Sequence, residues 1–268
     1  MQTGYAAAGG GQLFYRKWGS GRKALLAFPG YGNTSFLYQP LAALLGNSYS
    51  IYAFDLPHHG ESKWPAGTPL LKEDLVLATK SILKQYGHDT CALTAFSLGG
   101  RAALGIEELA PELVDKITLV APDGLAAHSF YHFLTGTFTG KKLFAHFTGK
   151  PAPYLKVLDW LHQKKWVDSS RYHFAKYFVQ TDTARNFLRD VWMDLRFLRP
   201  DLKKIKRNIR RHQTPTCIFM GRHDSVIPPS QAAAFAKDVP QIKVTVLNKG
   251  HRLMDRDTFE RLAQCLIS

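Results

Sequence analysis

Cys91-Ala92-Leu93-Thr94-Ala95-Phe96-Ser97-Leu98-Gly99-Gly100-Arg101 reads as an apolar strand that stops on a serine and leaves through two glycines into the helical run Ala102-Ala103-Leu104. A serine on so sharp a strand-to-helix turn is lifted clear of the backbone, and the flanking glycines let other chain segments come close. Ser97 is therefore a candidate nucleophile.

Upstream, Lys23 to Phe28 is a short continuous apolar run that stops at Pro29-Gly30-Tyr31-Gly32-Asn33, the pattern of a strand buried on both faces and followed by a loop. Helical spacing over Ser35 to Leu45, a strand at Ser50 to Asp55 and helical spacing over Leu70 to Tyr86 continue the alternation up to the Ser97 strand. Gln12 to Trp18, aromatic and partly alternating, suits an edge strand, and Ala6 to Gly11 is a Gly/Ala-rich patch. Downstream come a helix from Leu98 to Leu109, a strand at Lys116 to Ala121, a strand at Thr214 to Met220, a helix at Gln231 to Lys237, a strand at Ile242 to Leu247 and a helix from Asp255 to Leu266. Strand and helix in turn predict an α/β fold with a doubly wound, mostly parallel sheet.

The alternation breaks between Leu125 and His212, which hold 18 Lys or Arg against 6 Asp or Glu. The whole chain of 268 residues has 35 Lys and Arg against 21 Asp and Glu, so the basic excess belongs largely to this one segment. Residues 125–200 are expected to form an inserted helical cap between core segments 1–124 and 201–268. Its helices are expected around Phe130 to Phe147, Tyr154 to Lys165, Ser169 to Val179 and Thr183 to Phe197. Its aromatic residues, among them Phe130, Phe138, Phe144, Trp160, Trp166, Phe174, Phe178 and Trp192, are expected to build mostly the cap's own core, a few lining an apolar pocket above Ser97.

A serine hydroxyl needs a neighbouring base to attack at neutral pH, and that base needs a carboxylate to hold its tautomer. Asp224, in Gly221-Arg222-His223-Asp224, and His251, in Lys249-Gly250-His251, each lie just past a predicted strand, as Ser97 does. In a parallel sheet those ends share one rim, where ligands bind.

The order Ser97, Asp224, His251 and five stretches of sequence resemble the α/β-hydrolase superfamily. Ala95-Phe96-Ser97-Leu98-Gly99 is similar to the Gly-x-Ser-x-Gly elbow with alanine first, and Phe28-Pro29-Gly30-Tyr31 to the oxyanion loop with proline for histidine. Asp55-Leu56-Pro57-His58-His59-Gly60-Glu61-Ser62 resembles the Asp-x-Pro-Gly-His-Gly-x-Ser loop with His58 at its first glycine. Gly221-x-x-Asp224-x-x-x-Pro228 and Gly250-His251 match the acid and base loops. The resemblance implies a capped serine hydrolase of the carboxylic ester type, with catalytic Ser97, Asp224 and His251 and with the backbone N–H groups of Tyr31 and Leu98 as oxyanion hole. Members that displace halide or open epoxides carry aspartate in place of the serine.

Arg101 and Phe96 are the candidate substrate contacts. Ser97-Leu98-Gly99-Gly100-Arg101-Ala102 looks like the elbow of menaquinone-pathway lyases, in which an arginine here binds a substrate carboxylate; the other reading is a helix arginine paired with an acid. Asp123 reads as a turn or capping residue, His58 and His59 as loop residues instead of metal ligands, and His223 as a loop residue instead of a second base; the resemblance implies a packing and hydrogen-bonding role for His59. The expected substrate is small, partly apolar and able to carry an anionic group. A carbon–carbon bond hydrolase or lyase, or a ligand-binding protein without turnover, are the other functional readings.

Neither cofactor nor metal is expected. The basic stretch Lys203 to Arg211 reads as the solvated face of a helix, with no nucleic-acid motif. Without a signal-like N-terminus or a run of ~18 apolar residues, the chain is expected in the cytoplasm with no stable membrane insertion. Three cysteines, Cys91, Cys217 and Cys265, are expected as reduced, buried small hydrophobes.

Overall fold

A computed structural model describes residues 1–126, 129–167, 169, 172, 176–177 and 180–268. The chain divides into two compact units, Met1–Ala126 with Phe197–Ser268, and Ala127–Arg196.

The first unit is an eight-stranded sheet in the order β1-β2-β4-β3-β5-β6-β7-β8. Its strands are β1 Gln2–Ala8, β2 Gly11–Trp18, β3 Lys23–Phe28, β4 Tyr49–Phe54, β5 Cys91–Phe96, β6 Val114–Val120, β7 Thr216–Gly221 and β8 Ile242–Leu247. Pairing is antiparallel between β1 and β2 and between β2 and β4, and parallel from β4 through β8. The all-buried strands β4 and β5 have the continuous apolar sequence that a sheet covered on both faces demands.

Helices α1 Gln39–Leu45, α2 Lys72–Tyr86 and α3 Gly99–Leu109 follow β3, β4 and β5. Leu25, Ala27, Ile51 and Ala53 form one core with Leu41 and Leu45 of α1 and with Phe259, Leu262 and Leu266 of the C-terminal helix. Period-two alternation turns Leu26 and Phe28 of β3 to the opposite face, and α3 packs on β3, β5 and β6 and against α2.

Two strand expectations change. Gln2–Ala8 is a strand, so β2 lies inside the sheet instead of at its edge. Alanine and glycine hide β1 from propensity, but small residues are what the pairing requires: a Cβ on Gly4 would meet the Tyr15 hydroxyl at 2.5 Å.

The second unit contains α4 Ser129–Gly136, α5 Phe138–Gly149, α6 Ala152–Gln163 and α7 Asp182–Asp194. One helix expected from Phe130 to Phe147 is two, because Thr137 is extended (φ −100°, ψ 155°) and its hydroxyl caps α5 by accepting from the Gly140 N–H. Most of the helix expected over Ser169 to Val179 lies outside the described residues, as do Phe174 and Phe178. Among the described residues the aromatics do not mostly form this unit's core: Phe144 is buried and stacks on Trp192, whose carbonyl accepts from the Tyr131 hydroxyl, while Phe130, Phe133, Phe138, Trp160, Trp166 and Tyr177 are exposed. A few short helices have too little interior for so many rings.

The remaining helices are α8 Leu202–His212, α9 Pro229–Ala236 and α10 Arg256–Ile267. Asp201 caps α8, accepting from Lys203 and Lys204 N–H, and Asp255 caps α10.

The cysteine expectation is corrected as well. Cys217 of β7 and Cys265 of α10 form a disulfide across a separation of 48 residues, and only Cys91 is a free, buried thiol. Each half lies in its own apolar pattern, and their meeting depends on α10 docking on β6, the neighbour of β7 in the sheet. The pairing removes the cysteines as support for a reducing compartment. Among the described residues no helix is long and apolar enough to cross a membrane.

Candidate active site

The parallel strands end along one edge of the sheet, and the sequence-predicted site residues follow those ends. Ser97 comes directly after β5 at φ 48°, in the left-handed region that non-glycine residues enter rarely and mostly at functional turns. Three backbone bonds hold it there: its N–H donates to the Val120 carbonyl, and its carbonyl accepts from the Gly100 and Asp123 N–H groups. The close approach of the neighbouring loop needs a glycine, since a Cβ on Gly30 would meet the Phe96 ring at 2.8 Å and Ser97 Cβ at 3.1 Å.

Ser97 Oγ lies 2.9 Å from His251 Nε2, and His251 Nδ1 lies 2.7 Å from Asp224 Oδ2. A carboxylate only accepts, so the ring proton belongs on Nδ1 and the Nε2 lone pair faces the serine hydroxyl. Asp224 is buried, and its other oxygen accepts from the Val226 and Ile227 N–H groups, 2.8 Å each, which fixes the carboxylate plane. The acid and base loops are stitched together by Arg222 N–H to the Leu247 carbonyl and His223 N–H to the Lys249 carbonyl. A hydroxyl facing a correctly tautomerised imidazole can give up its proton as it attacks.

Phe96 lies with its ring centroid 5.5 Å from that of His251 and packs in the hydrophobic core. Arg101, in the first turn of α3, is buried, and its Nε lies 2.8 Å from Asp123 Oδ2, so the two residues weighed separately in the sequence form an ion pair.

Tyr31 and Gly32 form the turn of the loop after β3, which is gripped by the loop after β4. The Gly32 N–H donates to His59 Nε2 at 3.0 Å, and His59 Nδ1 lies 2.9 Å from the Pro57 carbonyl. Both ring nitrogens are thus committed to the backbone, and burial pushes the ring down to about 4, so it is neutral at pH 7. The Tyr31 ring meets His59 edge-on at 6.1 Å, and burial raises its phenol. The β4 loop is organised by buried Asp55, which accepts from Ser35 N–H on one oxygen and from Glu61 N–H on the other. Gly60, at φ 51°, lies against that carboxylate where a Cβ would overlap it, and His58 adopts φ 66° where the resembling loops have glycine.

One supporting contact has no signature in the sequence. Lys249 Nζ reaches Asp255 at 2.7 Å, Asp257 at 2.9 Å and Thr258 Oγ1 at 3.2 Å, tying the His251 loop to the start of α10. A lysine followed by two aspartates reads as surface charge until the loop is folded back.

The family model described as serine aminopeptidase, S33, matches residues 19–254. An uncharacterized hydrolase of Bacillus subtilis, YugF, is 21% identical over 248 residues, covering 91% of this chain and 88% of that protein. A thermophilic esterase from Thermogutta terrifontis superposes with a TM-score of 0.69 at 14% identity, over 100% of this chain and 97% of the esterase. The enol-lactonase from Burkholderia xenovorans LB400 superposes with a TM-score of 0.67 at 15% identity, over 99% and 100% of the two chains. With the sheet order, the elbow and the matched length all in agreement, the chain belongs to the serine aminopeptidase S33 family of α/β-hydrolases.

Proposed function

We propose that the protein is a serine hydrolase that cleaves an ester or related carbonyl bond of a small, partly apolar substrate. The observation that carries this reading is the unbroken relay from Ser97 Oγ through His251 to Asp224, with distances of 2.9 and 2.7 Å.

In this reaction Ser97 Oγ attacks the carbonyl carbon while His251 Nε2 takes its proton, and Asp224 steadies the imidazolium that forms. The negative charge that develops on the carbonyl oxygen is met by the backbone N–H groups of Leu98 and Tyr31, each worth about 3 kcal/mol in the transition state. The start of α3, immediately after the serine, adds its favourable dipole to the same charge. Collapse expels the alcohol with the proton carried by His251, leaving an acyl ester on Ser97. Water activated by His251 then releases the acid and restores the hydroxyl. Phe96 acts by bracing the His251 ring, and Arg101, paired with Asp123, acts by bracing the elbow.

Labelling with a fluorophosphonate probe tests the reading. The wild type is expected to be labelled and Ser97→Ala to be unlabelled with its fold intact; an unreactive wild type would overturn it.

A further inference from the structure

Residues 127–196 hold 11 Lys or Arg against 5 Asp or Glu. In this unit large apolar side chains face water in company with lysines. The end of α6 shows it most clearly. Lys165 adopts φ 59°, Lys164 N–H donates to the Trp160 carbonyl, and Trp166 N–H reaches back to the Leu161 carbonyl. This reversal folds Trp166 onto Trp160, ring centroids 5.4 Å apart and nearly perpendicular, yet leaves the two indoles 72% and 48% exposed. Lys164 and Lys165, both exposed, lie between them in the chain. The same kinds of side chain are exposed on two other helices of the unit. Phe130 of α4 and Phe138 of α5 are 69% and 73% exposed, and the Lys142 ammonium sits 4.4 Å over the Phe138 ring.

A left-handed backbone is unfavourable for a non-glycine residue, and here it sets two indoles side by side in water. Exposed aromatic clusters rimmed by cations mark an interaction surface, and the combination narrows the partner. A second copy of the same surface would bring like charge to like charge. A nucleic acid would use rings for stacking, but Val157 and Leu143 are exposed as well, and aliphatic side chains stack on no base. Indoles, phenyl rings and aliphatics beside lysines fit the boundary between lipid headgroups and acyl chains, where rings enter and ammonium groups stay with the phosphates.

We propose that this helical unit docks peripherally on an anionic lipid surface, with Trp160, Trp166, Phe130 and Phe138 entering the headgroup region and Lys142, Lys164 and Lys165 meeting lipid phosphates. The proposal stands apart from the hydrolytic reading, because its readout is binding and uses no turnover.

The test is co-sedimentation of the full chain with vesicles of phosphatidylcholine alone and of phosphatidylcholine mixed with phosphatidylglycerol, with and without added salt. Binding is expected only to the mixed vesicles, to weaken with salt, and to shift tryptophan emission to the blue. The double substitutions Trp160→Ser with Trp166→Ser and Lys164→Glu with Lys165→Glu should each weaken binding about tenfold or more, the first by removing inserted apolar surface and the second by removing cations. Melting temperatures should hold, since these side chains are exposed, and Phe130→Ser with Phe138→Ser provides an independent pair if one variant fails to fold. Absence of binding to mixed vesicles, equal binding to phosphatidylcholine alone, or unaltered binding by all three folded variants overturns the proposal. So does a single-stranded oligonucleotide binding more tightly than the vesicles, or a dimer in gel filtration that the tryptophan pair abolishes.

Discussion

The Gly32 N–H is held by His59 Nε2 at 3.0 Å, and the other nitrogen of that ring is held by the Pro57 carbonyl at 2.9 Å. A buried, neutral imidazole therefore joins the loop after β3, with Tyr31 at its turn, to the loop after β4. Replacing His59 by Phe keeps a ring but removes the hydrogen bond to the exposed Gly32 N–H, a loss of about 1 kcal/mol. Urea unfolding at pH 7 should show that loss. Ester turnover should fall in kcat more than KM rises, because the loop carries an oxyanion donor in the proposed mechanism.

The same ring predicts acid sensitivity. Its folded-state value is lowered by burial from 6.5 to about 4, so the unfolded chain binds the proton more readily. The stabilisation is complete above 6.5 and is lost as pH falls from 6.5 through about 4. Melting curves of wild type and His59→Phe should converge over that interval, and a constant difference between them would count against the assignment.

Glu107 has the opposite sign. It lies buried in α3, and burial, aided by the Glu112 charge, pushes its carboxyl up from 4.5 to about 8. The folded chain then holds the proton more tightly, so stability is full below 4.5 and declines as pH rises to about 8. Glu107→Gln should melt at nearly the wild-type temperature at pH 5 and at a higher one at pH 9. A wild-type melting temperature that is flat between those values excludes the idea.

Cys217 and Cys265 close a loop of 48 residues, for which chain entropy gives about 4 kcal/mol. Dithiothreitol should lower the wild-type melting temperature, while Cys217→Ala with Cys265→Ala should melt lower and ignore the reductant. An equal response of both proteins would show that the bond does not stabilise the fold.

Asp224→Asn tests the orienting role of the carboxylate, since an amide can offer the His251 Nδ1 nitrogen a donor and favour the unproductive tautomer. With the Val226 and Ile227 contacts kept, the fold should persist while kcat falls by about 10⁴. Fluorophosphonate labelling should slow in parallel; undiminished labelling would remove Asp224 from the proposed relay.

Sequence by itself determined the alternating strands and helices, the parallel sheet and the positions of Ser97, Asp224 and His251 just past strand ends. These are local properties: apolar periodicity and glycine punctuation act within a few residues, and a parallel sheet converts strand ends into one edge. Tertiary structure decided what depends on distant segments meeting. It added β1, whose three alanines and one glycine have low strand propensity, joined Cys217 to Cys265, and paired Arg101 with Asp123. It also gave His59 its particular partner, the Gly32 N–H, and left Phe130, Phe133, Phe138, Trp160, Trp166 and Tyr177 on the surface instead of in a core. Residue type states which bonds a side chain is able to make; the packing of distant elements selects the one it makes.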